Sequence, residues 1–345
     1  MTENLTDRER RVLQAIIMDY IQTAEPVGSR IVSKKYRIGL SPATIRNVMA
    51  DLEEMGFLTQ PHTSAGRVPT DRAFRFYVDS ILEMRKLTRL EKDRIENSLK
   101  DEKQDLGEIM KRASSLLSLL SRQAGVVLAP RFASNIFKQI EFIRMREKKI
   151  LVIIVSQAGQ VQNKVIEADE EMGQEELDRF SRYLSEFMSG LSLAEAKRKI
   201  MEEIKKEKVL FDKLMYRALQ LSKKALEDEE EGNLYIEGKT NIIRSPEFAD
   251  LEKMRVLLLA FEDKTKIVKL LDKALLAQGI QIFIGAENEF HEMVNCSLVA
   301  APYTRENFTL GTLGVIGPTR MDYSKIIPVV DYTAQILGKI LERRD

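Results

Sequence analysis

From Ser41 to Gly56 the chain reads SPATIRNVMADLEEMG, a helix with both of its ends specified. Ser41 offers a hydroxyl that accepts from a free backbone N–H. Pro42 suits the first helical position because the N–H it lacks would have had no intrahelical partner, and Gly56 supplies a stop. Ile45, Val48, Met49 and Leu52 recur at helical spacing and form one apolar face, while Thr44, Arg46, Asn47 and Asp51 fall largely off it. A helix this short is stable only when neighbours cover its apolar side.

Those neighbours are also legible. Thr6-Asp7-Arg8-Glu9 has capping-box spacing, and Val12, Leu13, Ile16, Ile17, Tyr20 and Ile21 trace one stripe of a first helix. After the turn Glu25-Pro26-Val27-Gly28, Ser29 to Tyr36 predicts a second short helix with Ile31 and Val32 inward and Arg30, Lys34 and Lys35 outward. Beyond Gly56, Phe57-Leu58-Thr59 and Gly66-Arg67-Val68-Pro69 predict two strands around the polar turn Gln60 to Ala65. Three helices and a hairpin make a winged helix, in which the third helix enters a DNA major groove and the second crosses the backbone. Arg46 suits a guanine edge, Asn47 an adenine edge, and Ser41 and Thr44 phosphate or base; the wing would carry Arg67, His62 or Ser64 to phosphate or the minor groove. The same pattern also fits a small protein-binding module, and the local positive charge is modest.

A length of 345 residues allows about two to three domains. The formal net charge of +1 excludes bulk attraction to nucleic acid, so contacts must come from local arrangement. Cys296 is the only cysteine, which rules out an intrachain disulfide and points to a reducing compartment. The charged N-terminus is unlike a signal peptide, and apolar runs such as Ile150 to Val155 are too short to span a bilayer; a soluble cytoplasmic protein without membrane contact is expected. Gly311, Gly314 and Gly317 match neither a dinucleotide fingerprint nor a phosphate loop and read as closely packed strand glycines. His291 and Cys296, with Glu287, Glu289 and Glu292 nearby, lack zinc-ligand spacing. No catalytic residues, metal or cofactor are expected, and a binding protein accounts for more of the pattern than an enzyme does.

Further along, Thr70 to Leu87 predicts an amphipathic segment whose Phe74, Tyr77, Val78, Ile81, Leu82 and Met84 fit a core better than a base-stacking platform. Lys86 to Glu108 is a charged surface helix or linker, and Ile109 to Leu120 regains an apolar face. Val126 to Ala129 reads as a buried strand stopped by Pro130. An antiparallel meander follows near Phe137 to Arg144, Ile150 to Val155 and Val161 to Ala168, with turns at Arg146-Glu147-Lys148 and Gln157-Ala158-Gly159. Helical periodicity then runs through Leu177, Phe180, Leu184 and Phe187, through Ala196, Ile200 and Ile204, and through Leu210, Leu214, Ala218 and Leu221. The acidic run Asp228 to Gly232 marks a solvated boundary. Strand candidates at Leu234 to Ile236, Gln281 to Gly285, Ser297 to Ala300 and Gly311 to Ile316, with helices between, predict a mixed α/β domain.

Five blocks carry a resemblance: Glu25-Pro26-Val27-Gly28-Ser29-Arg30, Ser33-Lys34-Lys35, Ala43 to Asn47, Met49 to Glu54 and Gly66-Arg67-Val68-Pro69. Together with the later Gly314-Val315-Ile316-Gly317-Pro318-Thr319-Arg320-Met321-Asp322-Tyr323, they resemble the HrcA family of bacterial heat-shock repressors. The resemblance implies an α+β multidomain chain: an N-terminal winged helix-turn-helix over residues 1–72, linker helices and the first part of a GAF-like α/β domain over 73–131, an inserted α+β dimerisation domain over 132–230, and the second part of the GAF-like domain over 231–345. It implies a homodimer that binds an inverted-repeat operator called CIRCE upstream of chaperone operons of the groE and dnaK type, kept active by the GroE chaperonin. Ser41, Thr44, Arg46 and Asn47 would read or position DNA, helped by Ser29, Arg30, Lys34 and Lys35 and by Arg67 on the wing. The alternative is a winged-helix regulator that senses a metabolite through the GAF-like domain.

Overall fold

Thr6 begins the first helix as its spacing predicts: its hydroxyl accepts from the Glu9 N–H while the Glu9 carboxylate accepts from the Thr6 N–H at 2.7 Å. The computed structural model describes residues 5–62, 65–100, 106–130, 136–146, 148–157, 161–168, 170–192, 195–196, 198–200, 202, 217–219, 221–222, 234–275, 279–305 and 308–342. Ser64, Glu147, Ala158, Gly159, Ile204, Leu210, Leu214 and the acidic run Asp228 to Gly232 lie outside the described residues. The chain divides into two compact units, one built from Met1–Leu128 and Leu234–Arg344 and the other from Ala129–Asn233.

The first unit opens with α1 (Asp7–Thr23), α2 (Ser29–Lys35) and α3 (Pro42–Glu54), followed by β1 (Leu58–Thr59) and β2 (Val68–Pro69) paired antiparallel. This is the winged helix-turn-helix. Val12, Leu13, Ile16 and Ile17 of α1, Val32 of α2 and Ile45, Val48, Met49 and Leu52 of α3 are buried in its core. Ile31 departs from expectation and is 45% exposed. On this seven-residue helix Ser29 and Val32, three positions apart, form the buried side, and Ile31, about 100° round from Val32, falls outside it.

α4 (Asp71–Phe76) continues into one π-helical turn, Tyr77–Ile81, and ends at Leu82 rather than at Leu87. Met84, expected in the core, is 64% exposed. Past Leu82 nothing apolar is buried to hold the helix, and Thr88 starts a new one through its own capping box, α5 (Arg89–Leu99). α6 (Leu106–Ser121) leads into the fully buried strand β3 (Ala124–Leu128).

The second unit contains the predicted meander: β4 (Phe137–Arg144), β5 (Lys149–Ser156) and β6 (Val161–Glu167), antiparallel and in sequence order. Phe142, Val152 and Ile166 alternate inward and pack with Leu177, Phe180 and Leu184 of α7 (Gln174–Phe187).

The first unit resumes with β7 (Leu234–Glu237), α8 (Lys239–Ile243), α9 (Leu251–Glu262), α10 (Lys264–Leu275), β8 (Gln281–Ile284), β9 (Cys296–Arg305), β10 (Phe308–Pro318) and α11 (Tyr323–Glu342). Its five-stranded sheet has the order β7-β3-β10-β9-β8, and every neighbouring pair is antiparallel. Val126, Leu128, Leu298 and Ile316 pack with Leu257, Phe261, Ile267 and Leu271 of α9 and α10. Among the described residues no helix is long and apolar enough to cross a membrane.

Candidate nucleic-acid interface

Ser41 caps α3: its Oγ accepts from the Thr44 N–H at 3.1 Å and lies 2.9 Å from the Thr44 hydroxyl. Both hydroxyls therefore act first on the helix start. Arg46 and Asn47 are exposed on the side of α3 opposite its buried face, and neither makes a side-chain hydrogen bond or ion pair among the described residues. Their donors are available to an external partner.

On α2, Arg30 and Lys34 are likewise exposed and unpaired among the described residues, whereas Ser29 is buried. Lys35 is held within the fold. Its ammonium donates to the Asp19 carboxylate at 2.7 Å and to the Gln22 side chain at 3.0 Å, and the Tyr36 hydroxyl approaches the same carboxylate at 3.3 Å. The Asp19 bond, followed by lesser effects, raises the Lys35 pKa, so the ammonium stays charged. Asp19 is buried on α1, and this network fastens the end of α2 to it.

The helix-turn-helix turn is closed by Ser33, whose hydroxyl donates to the Leu40 carbonyl at 3.1 Å. Within it Arg37 takes a positive φ of 48° and is exposed without a partner among the described residues. Arg37 is a further candidate that the sequence marks only faintly. Its cue, a cation just before the Ile38-Gly39 corner, is weak. Arg30, Lys34, Arg37 and Arg46 together supply the local positive charge that the near-zero net charge conceals.

The hairpin is fixed to the helices from two sides. Val27 and Arg67 exchange backbone hydrogen bonds, each 2.9 Å, which joins the turn before α2 to the wing. A Cβ on Gly66 would lie 2.5 Å from the Val27 carbonyl, so only glycine permits this approach. The Arg67 side chain donates to the Glu53 carboxylate of α3 and is half-buried. His62 is exposed near the tip.

Residues 4–80 match the family model for the winged helix-turn-helix transcription repressor HrcA DNA-binding domain, and residues 107–327 match that for the HrcA protein C-terminal domain. The sequence is 52% identical over 339 residues to the heat-inducible transcription repressor HrcA of Geobacter sulfurreducens, covering 98% of this chain and 99% of that protein. It is 50% identical over 341 residues to the repressor of the same name from Syntrophobacter fumaroxidans, covering 98% of each.

The chain belongs to the HrcA family.

An HrcA protein is a DNA-binding transcription repressor and not an enzyme, which agrees with the exposed polar face of α3. Among solved structures, a hypothetical protein shares the fold with a TM-score of 0.62 and 23% identity, over 99% of this chain and 100% of that one.

The remaining candidates for chemistry have structural roles. Cys296 is buried, and desolvation pushes its thiol up to about 12, far from a reactive thiolate. Among the described residues no group of three or more His, Cys, Asp or Glu side chains could hold a metal ion. Gly314 lies in β10, where a Cβ would come within 2.5 Å of the Val299 carbonyl, so it serves close strand packing in this HrcA chain.

Proposed function

We propose that this HrcA-family repressor binds, as a homodimer, the inverted-repeat CIRCE operator upstream of chaperone operons of the groE and dnaK type, and that the GroE chaperonin maintains its activity. The observation that carries the reading is the pair Arg46 and Asn47, exposed and without a partner among the described residues, on a capped helix whose other face is buried in a winged helix. Arg46 and Asn47 read base edges. Arg30, Lys34 and Arg37 meet phosphates, and Ser41 and Thr44 orient the helix start. Ser29, Lys35 and Arg67 support the reading surface from inside the domain, through burial or through bonds to their own fold.

In this reading residues 1–72 are the reader, 73–131 and 231–345 form a GAF-like domain, and 132–230 are an inserted dimerisation domain. The meander supports the last assignment. Ile143, Val161 and Val165 are 42%, 62% and 50% exposed, and the half-exposed Leu151 and Val155 lie beside them in register. An apolar sheet face of this kind suits a second copy of itself, and a two-fold dimer matches an inverted repeat.

Fluorescence anisotropy at one fixed salt concentration tests the reading, because DNA affinity varies steeply with salt. Selective binding to the inverted repeat over a scrambled duplex of the same composition is expected, with tighter binding when chaperonin is present. Equal binding to both duplexes by folded, dimeric protein would overturn the operator assignment. Indifference to chaperonin would remove only the proposed control.

A further inference from the structure

Among the described residues, the hydrogen bonds, ion pair and ring contact of the segment Thr319-Arg320-Met321-Asp322-Tyr323, part of the C-terminal block that carried the family resemblance, reach no residue of the proposed reading surface. It lies against the back of the winged helix. The Arg320 guanidinium donates to the Ile21 carbonyl at 2.9 Å, in the last turn of α1, and pairs with the Glu247 carboxylate. α1 has no basic residue in its own last turn. The cation that complements its exposed carbonyls and the negative end of its dipole therefore comes from the other end of the chain.

Glu247 depends on this arrangement. Its second oxygen is buried without a hydrogen-bond partner among the described residues, so Arg320 carries most of its compensation. Tyr20 of α1 belongs to the same cluster. Burial raises its phenol pKa, the Glu247 charge raises it further, and Arg320 opposes both.

A second mount lies beside the first. Phe74 of α4 is buried between Tyr20 and Tyr323, with ring centroids 6.5 and 6.3 Å away. The Asp71 carboxylate accepts from the Ala286 N–H at 3.0 Å, and the Arg75 guanidinium donates to the Glu287 carboxylate and, at 2.5 Å, to the Ile282 carbonyl. Both mounts join the winged helix to the C-terminal half of the same unit, the second through α4, the helix that continues directly from the wing and lies within the matched residues 4–80.

We propose that Arg320 and Arg75 are positioning residues that hold the winged helix in one orientation on the C-terminal domain, so that a dimer presents its two recognition helices at the spacing of the operator half-sites. This rests on the inverted-repeat reading above. A reader fixed in place engages its second half-site at high effective concentration; a reader on a loose joint must first be ordered. Neither arginine touches DNA, so a single half-site is bound equally well with or without the mounts.

The test uses the full chain with R320Q and, on the independent mount, R75Q. Each variant is checked for an unchanged circular dichroism spectrum and dimeric state. Spin labels on Glu54→Cys of α3 and Gln335→Cys of α11, both exposed positions, report orientation without DNA. The native Cys296 is buried and stays unlabelled, and excess unlabelled chain isolates distances within one protomer. The expected result is a narrow distance distribution that broadens in both variants. The variants also lose at least about tenfold in affinity for the full inverted repeat, hold half-site affinity within about twofold, and accept altered half-site spacings.

An unchanged distance distribution would overturn the proposal, as would equal losses on half-site and full site. A broadened joint with equal or tighter full-site binding would also overturn it, since the mounts would then restrain the reader. Should the native protein prefer neither DNA, the operator reading fails, and the distance measurement alone still decides whether these arginines fix the domain.

Discussion

Arg67 of the wing and Glu53 of the recognition helix are bound to each other, Nε to Oε2, at 2.7 Å. Both side chains are partly exposed, so the pair contributes only about 0.5 kcal/mol to stability. Its larger effect is electrostatic. Glu53→Gln frees the Arg67 cation beside the proposed reading surface and removes an anion next to it. Affinity for scrambled duplex should rise, the salt dependence should steepen by about one phosphate, and the preference for the operator should narrow. Titrations of both duplexes over a salt series measure all three.

Arg46→Ala separates base reading from general attraction. A loss of about 1–3 kcal/mol on the operator, with a much smaller loss on scrambled DNA, is expected if the guanidinium meets a guanine edge. Equal losses on both would reassign it to phosphate.

Lys34 and Lys35 are adjacent and should behave differently. Lys34→Met should leave the urea midpoint in place, weaken both duplexes alike and flatten the salt dependence by about one phosphate. Lys35→Met leaves the buried Asp19 carboxylate without its cation and should lower the urea midpoint. DNA affinity of the fraction that remains folded should change little.

Glu91 gives the protein an acid-sensitive helix start. Burial would raise its pKa, but the Thr88 N–H at 3.0 Å, the Thr88 hydroxyl and Arg85 outweigh it and bring the carboxyl down to about 2. A folded-state value below the unfolded one adds stability above about pH 5, and this is lost as pH falls toward 2. Glu91→Gln should therefore cost about 1 kcal/mol at pH 7, a figure reduced because the group lies near solvent. The difference should vanish near pH 2. Urea melts of both proteins across that range measure it.

The recognition helix and the meander were legible because their signals are local. A capping serine, a proline at the first turn and a strict apolar spacing set α3, and two-residue alternation set β4 to β6. The state of each candidate side chain was not legible. Lys34 and Lys35 look alike in sequence, and only folding brings Asp19, sixteen positions away, against one of them. Arg67 pairs with Glu53, fourteen positions away, to which no sequence pattern assigns a role. The order of the larger sheet was also hidden, because no local pattern states that β3 lies next to β10. Arg320 stood inside a recognisable block, yet its partners Ile21 and Glu247 come from distant stretches of chain.

The neighbouring strands β3 and β10 also set a timetable. β10 is completed roughly 190 residues after β3, so a ribosome adding about 5–20 residues per second leaves β3 without that neighbour for about 10–40 s. The winged helix, whose contacts are nearly all local, can fold long before then. Each newly made molecule thus passes through a period in which its reader is finished and the scaffold that mounts it is not, with Ala124–Leu128 packed on α6 but still without the strand that pairs with it.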